Sequence, residues 1–95
     1  MALNFPRRER ITFSRALARG PCVISTLIFT GNGSDTATLK IRDGFTANSE
    51  VVTTLNISTA DSKIFNFPRG LYLQNGCYIE INSYVVEALV LIDLV

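Results

Sequence analysis

Few residues of this chain could take part in catalysis. The 95 residues include no histidine, no tryptophan and two cysteines, Cys22 and Cys77. This composition removes most ligands of zinc, haem and iron–sulfur clusters, and it removes the base of a Ser-His-Asp triad. An enzyme would have to use carboxylates, Lys, Arg, Tyr or one Cys, and no histidine is present to activate a thiol. We therefore predict a protein that is not an enzyme and that has no metal or cofactor.

The carboxylates are the remaining acid/base candidates. Glu80 and Glu87 are predicted to point outward from adjacent strands, where two carboxylates could approach each other as an acid/base pair. Such a pair on a solvated sheet is also an ordinary surface feature, which we favour here. Asp35, Asp43 and Asp61 stand beside Gly or Ser, where a carboxylate stabilises a turn by accepting hydrogen bonds from nearby backbone N–H groups.

The hydrophobic pattern indicates an all-β protein. Apolar and polar residues alternate repeatedly with a period of two, and no long window follows a helical period. The clearest alternation runs over residues 36–43, where Ala37, Leu39 and Ile41 are predicted to point inward. The predicted strands cover residues 11–18, 22–30, 36–43, 51–57, 63–67, 71–73, 77–82 and 85–94. About seven or eight strands at this spacing are typical of a small antiparallel β-sandwich, either jelly-roll or immunoglobulin-like.

The two cysteines lie on the second and the penultimate predicted strands. Their spacing resembles that of the bridge between the sheets of immunoglobulin domains, but the chain lacks the buried Trp of those domains. The N-terminus has no apolar run behind its charges, so we predict no secretory signal and synthesis in the cytoplasm. In that reducing compartment the expected state is two free, buried thiols.

Positive charge is concentrated at the N-terminus. The first 20 residues contain Glu9 as their only acid against five arginines, Arg7, Arg8, Arg10, Arg15 and Arg19, and the remainder of the chain is mildly acidic. We predict a basic arm over residues 1–10, followed by one domain over residues 11–95. Such an arm could bind an acidic protein surface or nucleic acid. Alternatively, the arginines guard an edge strand against aggregation.

The last strand and the strand over residues 22–30 are apolar on both faces. A domain of this size can hardly cover two such strands from within, so we expect self-association or docking to another protein. The apolar run over residues 85–95 contains Glu87 and Asp93 and is about half the length that spans a bilayer. We therefore predict no membrane contact.

Residues 65–81 read FNFPRGLYLQNGCYIEI, and residues 39–44 read LKIRDG. The FPRG turn, the Asn-Gly pair and the YIEI strand that follow one another here resemble a pattern of small virion-associated β-sandwich proteins of tailed bacteriophages. The resemblance implies a decoration or cement protein that stabilises the capsid, or a module of the neck or tail. Its partners would be the major capsid protein or other virion subunits, and the protein would be a homo-oligomer located in the virion.

By this interpretation the basic segment contacts an acidic capsid surface and the last strand supplies apolar contacts. The residues expected at the interface are Arg7, Arg8, Arg10, Arg15, Arg19, Leu89, Leu91, Leu94 and Val95. A small nucleic-acid-binding β-barrel that uses the basic arm is a less favoured alternative, because the strands carry few basic residues. A tail or fibre module that binds a glycan through Tyr72, Tyr78 and Tyr84 is a further alternative.

Overall fold

Eight antiparallel strands make up the computed structural model, which describes residues 7–95. The strands are β1 (Arg7–Ile11), β2 (Arg15–Ala18), β3 (Cys22–Gly31), β4 (Ala37–Asp43), β5 (Glu50–Ile57), β6 (Ser62–Leu73), β7 (Cys77–Ile81) and β8 (Val85–Leu94). The predicted all-β class is confirmed. Residues 7–95 form no helix that is long and apolar enough to cross a membrane.

The strands form two four-stranded sheets, with the order β1-β8-β3-β6 in sheet I and β2-β7-β4-β5 in sheet II. The first four strands pair with the last four in reverse order, β1 with β8, β2 with β7, β3 with β6 and β4 with β5. A long antiparallel hairpin rolled up in this way is a jelly roll. An immunoglobulin domain keeps its first two strands in one sheet, whereas β1 and β2 lie in different sheets here. The jelly-roll alternative is therefore the one that the strand order supports.

The core lies between the inner faces of the two sheets. In β4 the side chains of Ala37, Leu39 and Ile41 are fully buried and alternate with more exposed residues, as the sequence pattern predicts. Phe29 of β3 is fully buried and stacks on Phe65 of β6, with the ring centroids 5.5 Å apart. These contacts fill the space between the sheets with apolar groups, and within residues 7–95 no polar or charged residue is buried.

The prediction of a single strand over residues 11–18 is wrong, because the chain passes from one sheet to the other within these residues. Ile11 ends β1 in sheet I, and Arg15 begins β2 in sheet II. Ser14 holds the crossing in place, since its hydroxyl donates to the carbonyl of Ile81 and accepts from the Ile81 N–H. Phe13 lies in the crossing and is 63% exposed. Of the predicted basic arm, residues 7–10 form part of β1, and residues 1–6 lie outside the described residues.

Because proline cannot donate to a ladder, the sequence predicts that Pro68 ends the strand over residues 63–67, and this prediction is wrong. β6 continues to Leu73, and its pairing with β3 shifts so that residues 67–70 lie opposite Ser25 alone. The bulge accommodates a proline because β6 is an edge strand, where a missing N–H donor breaks no ladder.

The position of Gly76, just before β7, requires glycine because the backbone at Ala18 and at Gly44 approaches it closely. Its φ is +128°, a conformation that favours glycine, and its carbonyl accepts a hydrogen bond from the Gly44 N–H at 3.2 Å. A Cβ placed on Gly76 would lie 2.6 Å from the Ala18 carbonyl oxygen and 3.2 Å from the Gly44 carbonyl carbon. Both neighbours are backbone atoms, so no side-chain rotation could relieve the clash.

We expect Gly76→Ala to lower the free energy of unfolding by about 1–3 kcal/mol, because it introduces backbone strain. Gly20→Ala is the matched control, because a Cβ at Gly20 meets nothing within 4 Å and its change should stay within about 0.5 kcal/mol. Urea unfolding, monitored by circular dichroism, measures the free energy of unfolding of both variants. Equal midpoints for the two variants would contradict the assignment of strain to Gly76.

Candidate interaction surface

The centre of the outer face of sheet II carries charged residues that form ion pairs with one another. Glu80 on β7 accepts hydrogen bonds from Nε and Nη2 of Arg42 at 3.0 and 2.8 Å, and its second oxygen lies 4.0 Å from Nζ of Lys40. In the next row the Thr38 hydroxyl donates to Oδ1 of Asn56 at 2.9 Å. The charged and polar groups at the centre of this face thus satisfy one another or face water.

The outer face of sheet I carries a group of apolar side chains, flanked by the hydrogen-bonded pairs Thr26–Asn66 and Thr30–Ser62. Ile28 at its centre pairs with Leu89 of β8 on one side and with Ile64 of β6 on the other. Leu91 stands in the adjacent row, opposite Thr26. The neighbouring residues of β3 and β8 are buried in the core, so alternation along each strand directs these side chains outward. We call the set the apolar face; its members are Val23, Ile28, Ile64, Tyr72, Leu89 and Leu91.

The most exposed members of the apolar face lie on the edge strand β6. Ile64 is 62% exposed and Tyr72 is 55% exposed, whereas Leu89 and Leu91 on the central strand β8 are partly buried by their neighbours. Tyr72 pairs with Val23, which extends the face toward the start of β3. Exposed apolar side chains that gather on one face of a protein this small are characteristic of a contact site for another protein.

Arginines border the apolar face along β1. Arg8 pairs with Leu91, and Arg10 pairs with Leu89, which places both at the margin. Arg10 forms a short ion pair with Glu87, at 2.6 Å from Nη2. Arg8 forms no hydrogen bond or ion pair through its side chain within residues 7–95, so its guanidinium is available to a partner.

The other predicted arginines serve the fold or line a groove. Arg15 forms an ion pair with Glu9 at 3.2 Å and donates to the Arg10 carbonyl at 3.0 Å, which ties β2 to β1. Arg7 donates from Nη2 to the Leu17 carbonyl at 3.2 Å and so joins the same two strands. These contacts join the two sheets along the β1–β2 side of the sandwich. The sequence does not predict this role, because β1 and β2 pair with different strands.

A groove lies at the end of the sandwich where β2 leads into β3. Arg7, Arg19, Leu94 and Val95 line it, together with residues 16–18 and 20–21, and its volume is about 450 Å³. The guanidinium of Arg19 stands 5.5 Å from the centre of the Phe45 ring. Leu94 and Val95 are 57% and 76% exposed. The predicted contact residues therefore fall in three places, which are the apolar face with its margin, the β1–β2 edge and this groove.

The predicted adjacency of the strands that carry Glu80 and Glu87 is wrong. β7 and β8 follow each other in the chain but lie in different sheets, so the two carboxylates face opposite sides of the sandwich. Each is already paired with arginine, Glu80 with Arg42 and Glu87 with Arg10. Within residues 7–95, no three Cys, Asp or Glu side chains converge into a group that could hold a metal ion.

Cys22 and Cys77 are free thiols, and both are fully buried. A side-chain hydrogen bond with Cys22 and burial raise the pKa of the Cys77 thiol above its ordinary value. The same hydrogen bond holds the pKa of Cys22 below it.

Arg7→Ala should lower the free energy of unfolding by about 0.5–1.5 kcal/mol, because the Leu17 carbonyl loses a charge-assisted donor. Arg8→Ala serves as the neighbouring control and should leave stability within about 0.5 kcal/mol. Thermal unfolding at matched salt concentration measures both. Equal losses in the two variants would refute the structural role that we assign to Arg7.

No known protein-family model matches the chain, and no curated protein is significantly similar to it. The jelly roll itself hosts capsid, lectin and enzyme domains, so the fold does not decide the function. The function has to be argued from the contrast between the two outer faces and from the residues that border the apolar one.

Proposed function

We propose that the chain is a non-enzymatic structural protein of a phage virion, a decoration or cement protein that binds the capsid through the apolar face. The single observation that carries the proposal is the contrast between the two outer faces of one small sandwich. Sheet II presents the Lys40–Glu80–Arg42 ion pairs to water, whereas sheet I presents Ile28, Leu89 and their neighbours. The resemblance of residues 65–81 to virion-associated proteins supports the choice of partner.

Binding by the apolar face requires no movement of the fold. The side chains already stand on rigid, paired strands, so little conformational entropy is lost when a partner covers them. Removing one Leu or Ile side chain from water contributes about 1.5–3 kcal/mol when burial is complete. A protein that binds the assembled shell and not its free subunits stabilises the shell by mass action, so its function needs no chemical step.

The arginines along β1 would orient the bound partner and make its affinity depend on salt concentration. Arg8 and the Arg10–Glu87 pair lie beside Leu91 and Leu89, where an acidic partner surface would meet the Arg8 guanidinium. The groove lined by Arg7, Arg19, Leu94 and Val95 opens at the end of the sandwich and offers a second contact of the same mixed character. We expect the chain to act as a homo-oligomer on the particle, as the resemblance implies.

The arrangement of the arginines favours a protein partner over nucleic acid. A groove for single-stranded nucleic acid combines a continuous positive surface with exposed aromatic rings. Here the Arg10 and Arg15 side chains are paired with Glu87 and Glu9, and Leu91, Thr26 and Val23 lie between Arg8 and the exposed ring of Tyr72. The aliphatic character of the face is suited to protein contact.

Leu91→Glu should weaken binding to the shell at least about tenfold, because it places a carboxylate within the apolar face. Thr54→Glu is the matched control, since it adds the same charge to the polar face of sheet II, next to Lys40. Both variants are mixed with particles from a phage genome whose copy of this gene is deleted, and binding is measured by co-sedimentation.

Equal binding of the two variants would show that the apolar face is not the contact. If wild-type protein is missing from purified particles of the intact genome, the virion function is excluded. Salt-dependent binding of single-stranded DNA that Arg8→Ala abolishes and Leu91→Glu preserves would support the nucleic-acid alternative instead.

A further inference from the structure

One end of the core brings two cysteines together from opposite sheets. Cys22 begins β3 in sheet I, and Cys77 begins β7 in sheet II. Ala18, the residue that pairs with Cys77, is separated from Cys22 only by residues 19–21, which carry the chain from one sheet to the other. This short crossing fixes Cys22 across the core from Cys77, and both side chains are fully buried.

The start of β7 is held rigidly at this place. Gly76 packs directly on the Ala18 carbonyl, and its own carbonyl accepts a hydrogen bond from the Gly44 N–H. Asp43 pairs with Cys77 on the other side, so strands flank the cysteine on both sides. Cys22 is likewise paired on both sides, with Leu73 and with Leu94. Both cysteines therefore occupy fixed, buried strand positions in facing sheets, and neither is used by the proposed function.

We propose that Cys22 and Cys77 form a disulfide between the sheets when the chain meets a small-molecule disulfide such as oxidised glutathione. The Cys22 thiolate attacks one sulfur of the oxidant, and the other sulfur leaves as a glutathione thiolate. Cys77 then gives its proton to water, and its sulfur attacks the Cys22 sulfur and releases the second glutathione thiolate. The two protein thiols are oxidised and one molecule of oxidised glutathione is reduced, so atoms and electrons balance.

The bridge would join positions 22 and 77, and the enclosed loop contains strands of both sheets. Closing a loop of this size restricts the unfolded chain, so the bridged protein should melt about 10 °C or more above the reduced protein. Burial keeps oxidants away from the folded core, so the bridge forms quickly during refolding and slowly in the native protein. Protein that folds under reducing conditions would thus gain the bridge only slowly when it later meets an oxidant.

The test refolds reduced, denatured protein in a mixture of reduced and oxidised glutathione, then blocks remaining thiols with N-ethylmaleimide and measures the intact mass. The expected product is a monomer that carries no maleimide and is two hydrogen atoms lighter than the reduced chain. Its melting temperature is compared with that of the same protein kept in a reductant.

Cys77→Ala is the control, because it keeps Cys22 but cannot form the bridge, and oxidised glutathione should not raise its melting temperature. Two maleimide groups on refolded wild type, a stable mixed disulfide with glutathione, or only disulfide-linked dimers would each overturn the proposal. So would a bridged monomer that melts below the reduced one. The mass of the wild-type protein decides the question even if the variant fails to fold.

Discussion

The pairing of β3 with β8 at the centre of sheet I is the interaction on which the rest of the structure depends. It runs from Cys22 opposite Leu94 to Gly31 opposite Val85, and it joins the first half of the chain to its end. β1 attaches to the free side of β8, and β6 attaches to the free side of β3. The inner side chains of the two central strands, such as Phe29 and Val90, form much of the core. Without this pair neither the sheet nor the core could form.

The same pair explains why the sandwich has two unlike faces. Strands rich in aliphatic residues pair strongly and fill a core, but alternation sends half of their side chains to the opposite side. On β3 and β8 that side carries Ile28, Leu89 and Leu91, which no element of residues 7–95 covers. Sheet II avoids this exposure because Lys40, Arg42 and Glu80 occupy the equivalent positions. The exposed aliphatic surface is thus a consequence of the aliphatic residues in the two central strands. A binding partner would cover this surface.

The sequence predicts where the strands lie in the chain far better than it predicts which strands pair with each other. Alternation identifies which side chains of β4 enter the core, because that depends only on residues two apart. Sheet membership depends on pairing between distant segments, so the change of sheet after Ile11 and the separation of Glu80 from Glu87 are invisible locally. Pro68 was predicted to end a strand because the rule for interior strands was applied to an edge. Leu89 and Leu91 could be chosen from their two-faced strand, whereas Ile64 joins them only once β6 is placed beside β3.

We propose that the partner covers the apolar face rather than the polar face or the groove. Hydroxyl-radical labelling of side chains, compared between free protein and protein bound to particles, tests this residue by residue. We expect Ile64, Tyr72 and Leu89 to lose reactivity on binding, while Tyr78 and Val51 of sheet II keep theirs. Protection of the sheet II residues with no change at Ile64 and Tyr72 would contradict it.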